Sequence, residues 1–207
     1  ATALGAIGLA IHHAMTFTGM SVDLQRLNGT CFAVTGPAPF IPIAQALVVE
    51  MGGEPVHVAE ADRALYHAAL AHAANHLVTI LGQSQQMLTS IGIEDPERYM
   101  GPLVRAAVDN ALASGEGALT RPVARGDAGT VKAHLQALNE YSEHEKTGDI
   151  TDSYAALAHA TAKRAHNRGL LNDEQLGRIE NLLGESSDRN HPGDIDDSAP
   201  ENKEFSS

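Results

Sequence analysis

Between Arg63 and Gly82 the chain reads RALYHAALAHAANHLVTILG, and His67, His72, Asn75 and His76 stand within it among alanine and aliphatic residues. Histidine titrates near neutrality and can give or take a proton during a reaction. An asparagine amide can orient an oxygen atom by hydrogen bonds. At about 100° per residue, His72, Asn75, His76, Thr79 and Gln83 share roughly a third of a helix surface, with His67 beside that stripe. Leu70, Leu77, Ile80 and Leu81 fall on the other faces. The pattern predicts a helix buried on most sides with one polar seam, which partners, water or a ligand must satisfy. His67 and Asn75 are the candidate catalytic pair; the competing role is to tie helices together or face a second copy. His72 and His76 have the i, i+4 spacing of a metal-binding pair. No cysteine or carboxylate on the segment completes a shell, so no metal site is expected.

Two further stretches carry chemistry. In IHHAMTF, His12 follows an apolar run, which places it at the carboxyl end of a strand. Ligands of open α/β sheets bind at that edge, so His12, Met15 and Thr16 are candidates to line a pocket; His13 is given no role. LTRPVARGDAGTV joins two helical segments. Asp127 is a candidate cap for a helix starting at Ala128 or Gly129. That N-terminus favours an anion, and Arg125 would add a fork for a carboxylate. Thr120, Arg125 and Asp127 are therefore candidate substrate-binding residues, with a structural Arg–Asp loop as the alternative.

Positioning these groups requires two kinds of architecture. Residues 1–59 read strand (Ile7–Ile11), loop, strand (Cys31–Val34), helix, strand (PVHVA). The helix shows itself by Ile43, Leu47 and Met51 at helical spacing, with Pro42 at its start and Gly52–Gly53 at its end. This is α/β grammar, too short for a complete doubly wound domain. From Glu60 the grammar becomes helical: a long helix over 60–90 with a possible break at Gly82, then Pro96–Ser114 capped by Asp95. A third helix starts near Ala128, a fourth is capped by Thr151 or Asp152 and stopped at Gly169, and a last is capped by Asn172. The expected organisation is an α/β remnant over 1–59, a mainly α domain over 60–185 and a disordered acidic tail over 186–207.

Composition narrows the class. The 207 residues include 43% hydrophobic but only 4% aromatic residues, with no tryptophan, so the core must be built from Ala, Leu, Val and Ile. A single cysteine, Cys31, allows no disulfide within the chain and fits a reducing, cytoplasmic setting. The net charge of -12 argues against nucleic acid. No apolar run has the length of a membrane span, and the apolar opening ATALGAIGLAIHH lacks the basic region of a signal peptide.

Taken in order and spacing, IHHAMTFTG, FAVTG, YHAALAHAANHLVTILG and LTRPVARGDAGTVKAHLQAL resemble a bacterial oxidoreductase family with a Rossmann-like domain followed by a helical domain long of unknown function. Its members look like distant relatives of ketopantoate reductase, pyrroline-5-carboxylate reductase and the 6-phosphogluconate dehydrogenase superfamily. The resemblance covers roughly residues 1–185. It implies a dinucleotide on the amino-terminal sheet, a helical domain that closes over the nicotinamide and forms a homodimer, and a small-molecule substrate between the domains. In the ketopantoate reductase pattern the long helix carries a lysine, whose position falls on His67, a first asparagine, whose position falls on Ala71, and a second, whose position falls on Asn75. His12, Met15 and Thr16 would then line the nicotinamide. The implied reaction is reduction of the carbonyl of a small 2-oxo acid, with NADP(H) the expected cofactor and NAD(H) the alternative. The sequence departs from the pattern at His13, where the family has proline, and at Arg121, where it has glycine. The glycine fingerprint G-x-G-x-x-G is also missing and is expected either to lie upstream of Ala1 or to be lost, and the chain alone is expected to be inactive. A non-catalytic helical dimerisation or ligand-binding module is the rival expectation.

Overall fold

The computed structural model describes residues 6–119 and 122–190, the last six by backbone alone. It divides into two compact units, Ala1–Gly82 and Gln83–Ser207. The sequence changes grammar at Glu60, whereas the division of packing falls inside the long helix.

The first unit holds β1 (Ala10–His13), α1 (Val22–Leu27), β2 (Cys31–Thr35), α2 (Ile41–Glu50), β3 (Glu54–His57) and the start of α3 (Arg63–Ser90). The sheet order is β1-β2-β3. β2 and β3 are parallel, joined through α2, while β1 runs antiparallel to β2. β2 is the central strand and is buried on both faces from Phe32 to Thr35. Phe32 and Val34 pack against Ala44 and Val48 of α2. Gly53 is required where α2 returns to the sheet, because a Cβ there would lie 2.5 Å from the Phe32 ring.

Several expectations change here. The first strand is Ala10–His13, not Ile7–Ile11, and its direction removes His12 from the carboxyl edge shared by β2 and β3. An apolar run announces a strand but not its direction. The stripe Ile43, Leu47, Met51 that betrays α2 faces outward, and the smaller Ala44 and Val48 make the core face. α1 was not expected. It follows a turn built on Asp23, whose buried carboxylate accepts from the backbone N–H of Thr18, Gly19 and Met20 and from the Thr18 hydroxyl.

The second unit contains the rest of α3, then α4 (Pro96–Ser114), α5 (Ala128–Glu145), α6 (Asp149–Asn167) and α7 (Asp173–Asn190). Its core joins Val131 and Leu135 of α5, Ala158, Ala162 and Ala165 of α6, and Ile179 and Leu183 of α7. The alanines of α6 let the neighbouring helices approach closely. α4 begins at Pro96 after Asp95, although the Asp95 side chain makes no cap bond. Asn172 caps α7 reciprocally with Gln175, at 2.8 and 3.0 Å. α6 starts at Asp149, one turn before the predicted cap. Thr151 is buried there instead, and its hydroxyl reaches the Leu138 carbonyl and Ser142 of α5. α3 is continuous through Gly82, and α7 runs into the stretch expected to be tail. Residues 191–207 lie outside the described residues.

Candidate functional site

Pleat and register build one wall of a cavity. Ala33 and Thr35 point away from the α2 side of β2, because side chains alternate along a strand. Across the ladder, Ala10 pairs with Thr35 and His12 with Ala33, so these side chains share that face. A single helical turn over Glu60–Asp62 then leads into α3. Arg63, Tyr66 and His67 stand at i, i+3 and i+4, which puts them on one helix face. With Ala64, Val58 and the sheet residues they enclose a cavity of about 300 Å³. A second hollow, about 520 Å³, shares Ala10, Thr35 and Arg63 and extends to Gly8, Gly36, Pro37 and Glu60.

The protonatable groups of the cavity touch one another. The Tyr66 hydroxyl lies 3.2 Å from His12 Nδ1. The His67 ring meets the His12 ring edge-on, with centroids 5.9 Å apart. Loss of water, then the charges of His13, His67 and Arg63, hold the His12 imidazole below its ordinary range. Burial, then the charge of the Cys31 thiolate, raises the Tyr66 hydroxyl. Both shifts favour a neutral tyrosine beside a neutral histidine. Arg63 is paired with Glu60 through Nη1 alone, at 3.1 and 3.4 Å to the two carboxylate oxygens. The Thr35 hydroxyl is committed to the Val58 carbonyl at 2.6 Å.

The residues singled out in the sequence are distributed as follows. His67 and His12 line the cavity together. Asn75 does not line it; it is exposed two turns further along α3, about 12 Å on at 1.5 Å per residue. His72 and His76 bond to each other, Nδ1 to Nδ1, at 2.8 Å on the exposed surface. Among the described residues no group of three or more His, Cys, Asp or Glu is arranged to hold a metal. Met15 receives the Thr30 hydroxyl on its sulfur, and its carbonyl accepts from His13. Thr16 is exposed, and neither residue lines the cavity. Thr120 and Arg121 lie outside the described residues. Arg125 is exposed in the turn Val123–Arg125. Asp127 caps α5 as its spacing predicts, receiving the Thr130 N–H at 3.0 Å and the Thr130 hydroxyl at 2.7 Å. Both carboxylate oxygens are occupied by that role.

The polar seam itself needs correction. No residue of α3 is buried, and Leu65 and Val78 are 74% and 70% exposed. The alanine-rich sequence supplies a face able to pack, but the described chain places little against it. Tyr66 and Arg63 were missed in the sequence, although their spacing from His67 puts all three on one face.

The fold and cavity define an α/β segment with a small three-stranded sheet, followed by mostly helical structure, with a largely apolar cavity, edged by His12, Arg63, Tyr66 and His67, where sheet meets helix. The chain belongs to the family described as domain of unknown function DUF2520, which it matches over residues 30–161. It is similar in fold to the crystal structure of protein TM1727 from Thermotoga maritima, at 24% identity and a TM-score of 0.62. That match covers 76% of this chain and 62% of the Thermotoga chain, so it spans less than two thirds of the relative's length. No curated protein matches the chain.

Proposed function

We propose that this chain is part of an NAD(P)H-dependent oxidoreductase that reduces the carbonyl of a small 2-oxo acid. The observation that carries the reading is the cavity over β1 and β2, where His12, Tyr66, His67 and Arg63 converge on an otherwise aliphatic lining. Titratable groups such as His12 and Tyr66, perturbed by their surroundings and gathered in a concave site, are candidates for a reaction centre. A bound reduced nicotinamide would supply the hydride, and the cavity has room for a group of that size. No strand-to-helix turn with a Gly-x-Gly sequence stands among the described residues, so nothing in them would hold the pyrophosphate of such a cofactor. His67 holds a proton for the oxygen that becomes an alkoxide. Its place in the cavity allows this, and its exposure leaves it open to exchange with water.

The test is consumption of NADPH and NADH with a panel of small 2-oxo acids, on the longest native polypeptide that contains this chain. His67→Ala should lower the rate about tenfold or more while the melting temperature stays within error, because an exposed imidazole contributes little packing. An unchanged rate per folded molecule, or no turnover with any 2-oxo acid, would overturn the reading. A second reading, a non-catalytic helical module that binds a second copy, draws on the exposed Leu65 and Val78 of α3.

A further inference from the structure

We propose that the cavity seats a 2-oxo acid with a short aliphatic chain, its carboxylate on the Arg63 guanidinium and its oxo oxygen on the Tyr66 hydroxyl. The ligand class rests on the oxidoreductase reading; the placement rests on the geometry of the first turn of α3. Arg125 was the anion-binding candidate in the sequence, and Arg63 is the arginine that lines this cavity.

Arg63 gives only Nη1 to Glu60, and among the described residues Nε and Nη2 have no hydrogen-bond partner. That leaves one edge of the planar fork, Nε with Nη2, for a carboxylate, which binds such an edge by two parallel bonds. Arg63 also stands where the two hollows join, so a ligand can enter from the wider one. Tyr66 is one turn further along the same face, and Cβ atoms at that spacing are about 5–6 Å apart. The guanidinium and the hydroxyl stand at the ends of longer side chains, and both residues line the one cavity.

His12 is the positioning partner. With a proton on Nδ1, its imidazole donates to the Tyr66 oxygen across the 3.2 Å contact. The hydroxyl's own proton is then free to point at the ligand. Thr35 cannot substitute, because its hydroxyl is spent on Val58. Besides His67, the remaining lining is Ala10, Ala33, Ala64 and Val58, which offers an apolar floor to a short alkyl chain.

Isothermal titration of the 207-residue chain with 2-oxobutanoate and with butanoate tests this without nicotinamide. The oxo acid should bind about tenfold more tightly than the plain acid, the worth of one added hydrogen bond. Tyr66→Phe should erase that preference and leave butanoate unchanged. Arg63→Met should weaken both ligands by about tenfold or more. His12→Ala should reduce the preference without affecting butanoate. Circular dichroism and melting of each variant confirm that it is folded. Equal binding of the two acids, no binding of either, or a preference that survives Tyr66→Phe overturns the proposal. Binding as described without nicotinamide-dependent turnover keeps the placement and removes the oxidoreductase reading. Turnover with a preference indifferent to Tyr66→Phe does the reverse.

Discussion

The hexapeptide AALAHA occurs twice, at residues 68–73 of α3 and 155–160 of α6. In α6 it lies against the helical core: Ala158 is 5% exposed, and Ala162, one turn on, is fully buried. In α3 the matching alanine, Ala71, is only half-buried, and no residue of the helix is buried. The histidines diverge too. His159 sits 3.8 Å from Glu180 of α7, while His72 bonds to its own neighbour His76. The same six residues thus form helix in both places, since alanine and leucine favour it. What they bury is decided by the elements that return to cover them. α7 returns to α6 with Ile179 and Leu183. α3 instead offers its first turn to the sheet, and there its side chains line a cavity rather than a core.

The comparison breaks most easily where packing is tightest. Ile179 is fully buried between α5 and α6, so Ile179→Ala should cost about 2–5 kcal/mol through lost burial and the cavity left behind. Denaturant unfolding measures it. A loss below about 1 kcal/mol would mean that the core of the second unit is loose. The paired leucine substitutions come next. Ala162→Leu should destabilise by about 1–3 kcal/mol by overpacking, whereas Ala71→Leu should stay within about 0.5 kcal/mol. Equal costs would dissolve the distinction between the two helices.

A smaller effect is expected from acid. Hydrogen bonds from the Thr130 hydroxyl and then its N–H, against some desolvation, hold the Asp127 carboxyl below the usual range. Burial pushes Asp23 up, but bonds from Thr18, Gly19 and Met20 outweigh it and the net shift is also downward. A carboxyl lowered by folding adds stability above its unfolded value, near 3.8 in both cases, and that stability is lost as pH falls through the folded value. Unfolding followed from pH 6 to pH 2 should therefore show a steeper acid loss in the wild type than in Asp127→Asn, which keeps a cap without the charge. Parallel curves would remove Asp127 from the acid response.

What was legible in the sequence was local. Pro96 opens α4, Asp127 caps α5 and Asn172 caps α7, and each signal acts within four residues of its partner. His67, singled out in the sequence for its helix position and its place in the family pattern, does line the cavity. The direction of β1 was hidden, since alternation and hydrophobicity look the same read either way. Tyr66 was hidden for another reason: its importance comes from His12, 54 residues away and brought beside it only by the sheet. The exposure of α3 was hidden as well, because an alanine-rich helix looks buried whether or not anything covers it.

The smallest predicted effect separates the two copies of AALAHA most sharply. The His159–Glu180 pair is half-exposed and 3.8 Å long, so His159→Ala should cost no more than about 0.5–1 kcal/mol. His72→Ala removes only an exposed bond to His76 and should cost less, within about 0.5 kcal/mol. Both should be independent of protein concentration. If His72→Ala costs more than His159→Ala, and the excess grows with concentration, a second copy covers the seam of α3. The sequence pattern was then right that the seam is satisfied, and the non-catalytic reading gains what the oxidoreductase reading loses. If both effects stay small at every concentration, His72, Asn75 and His76 are solvated, Gln83 at the end of the seam is held by Asp149 and Ser153, and the cavity chemistry of α3 belongs to its first turn.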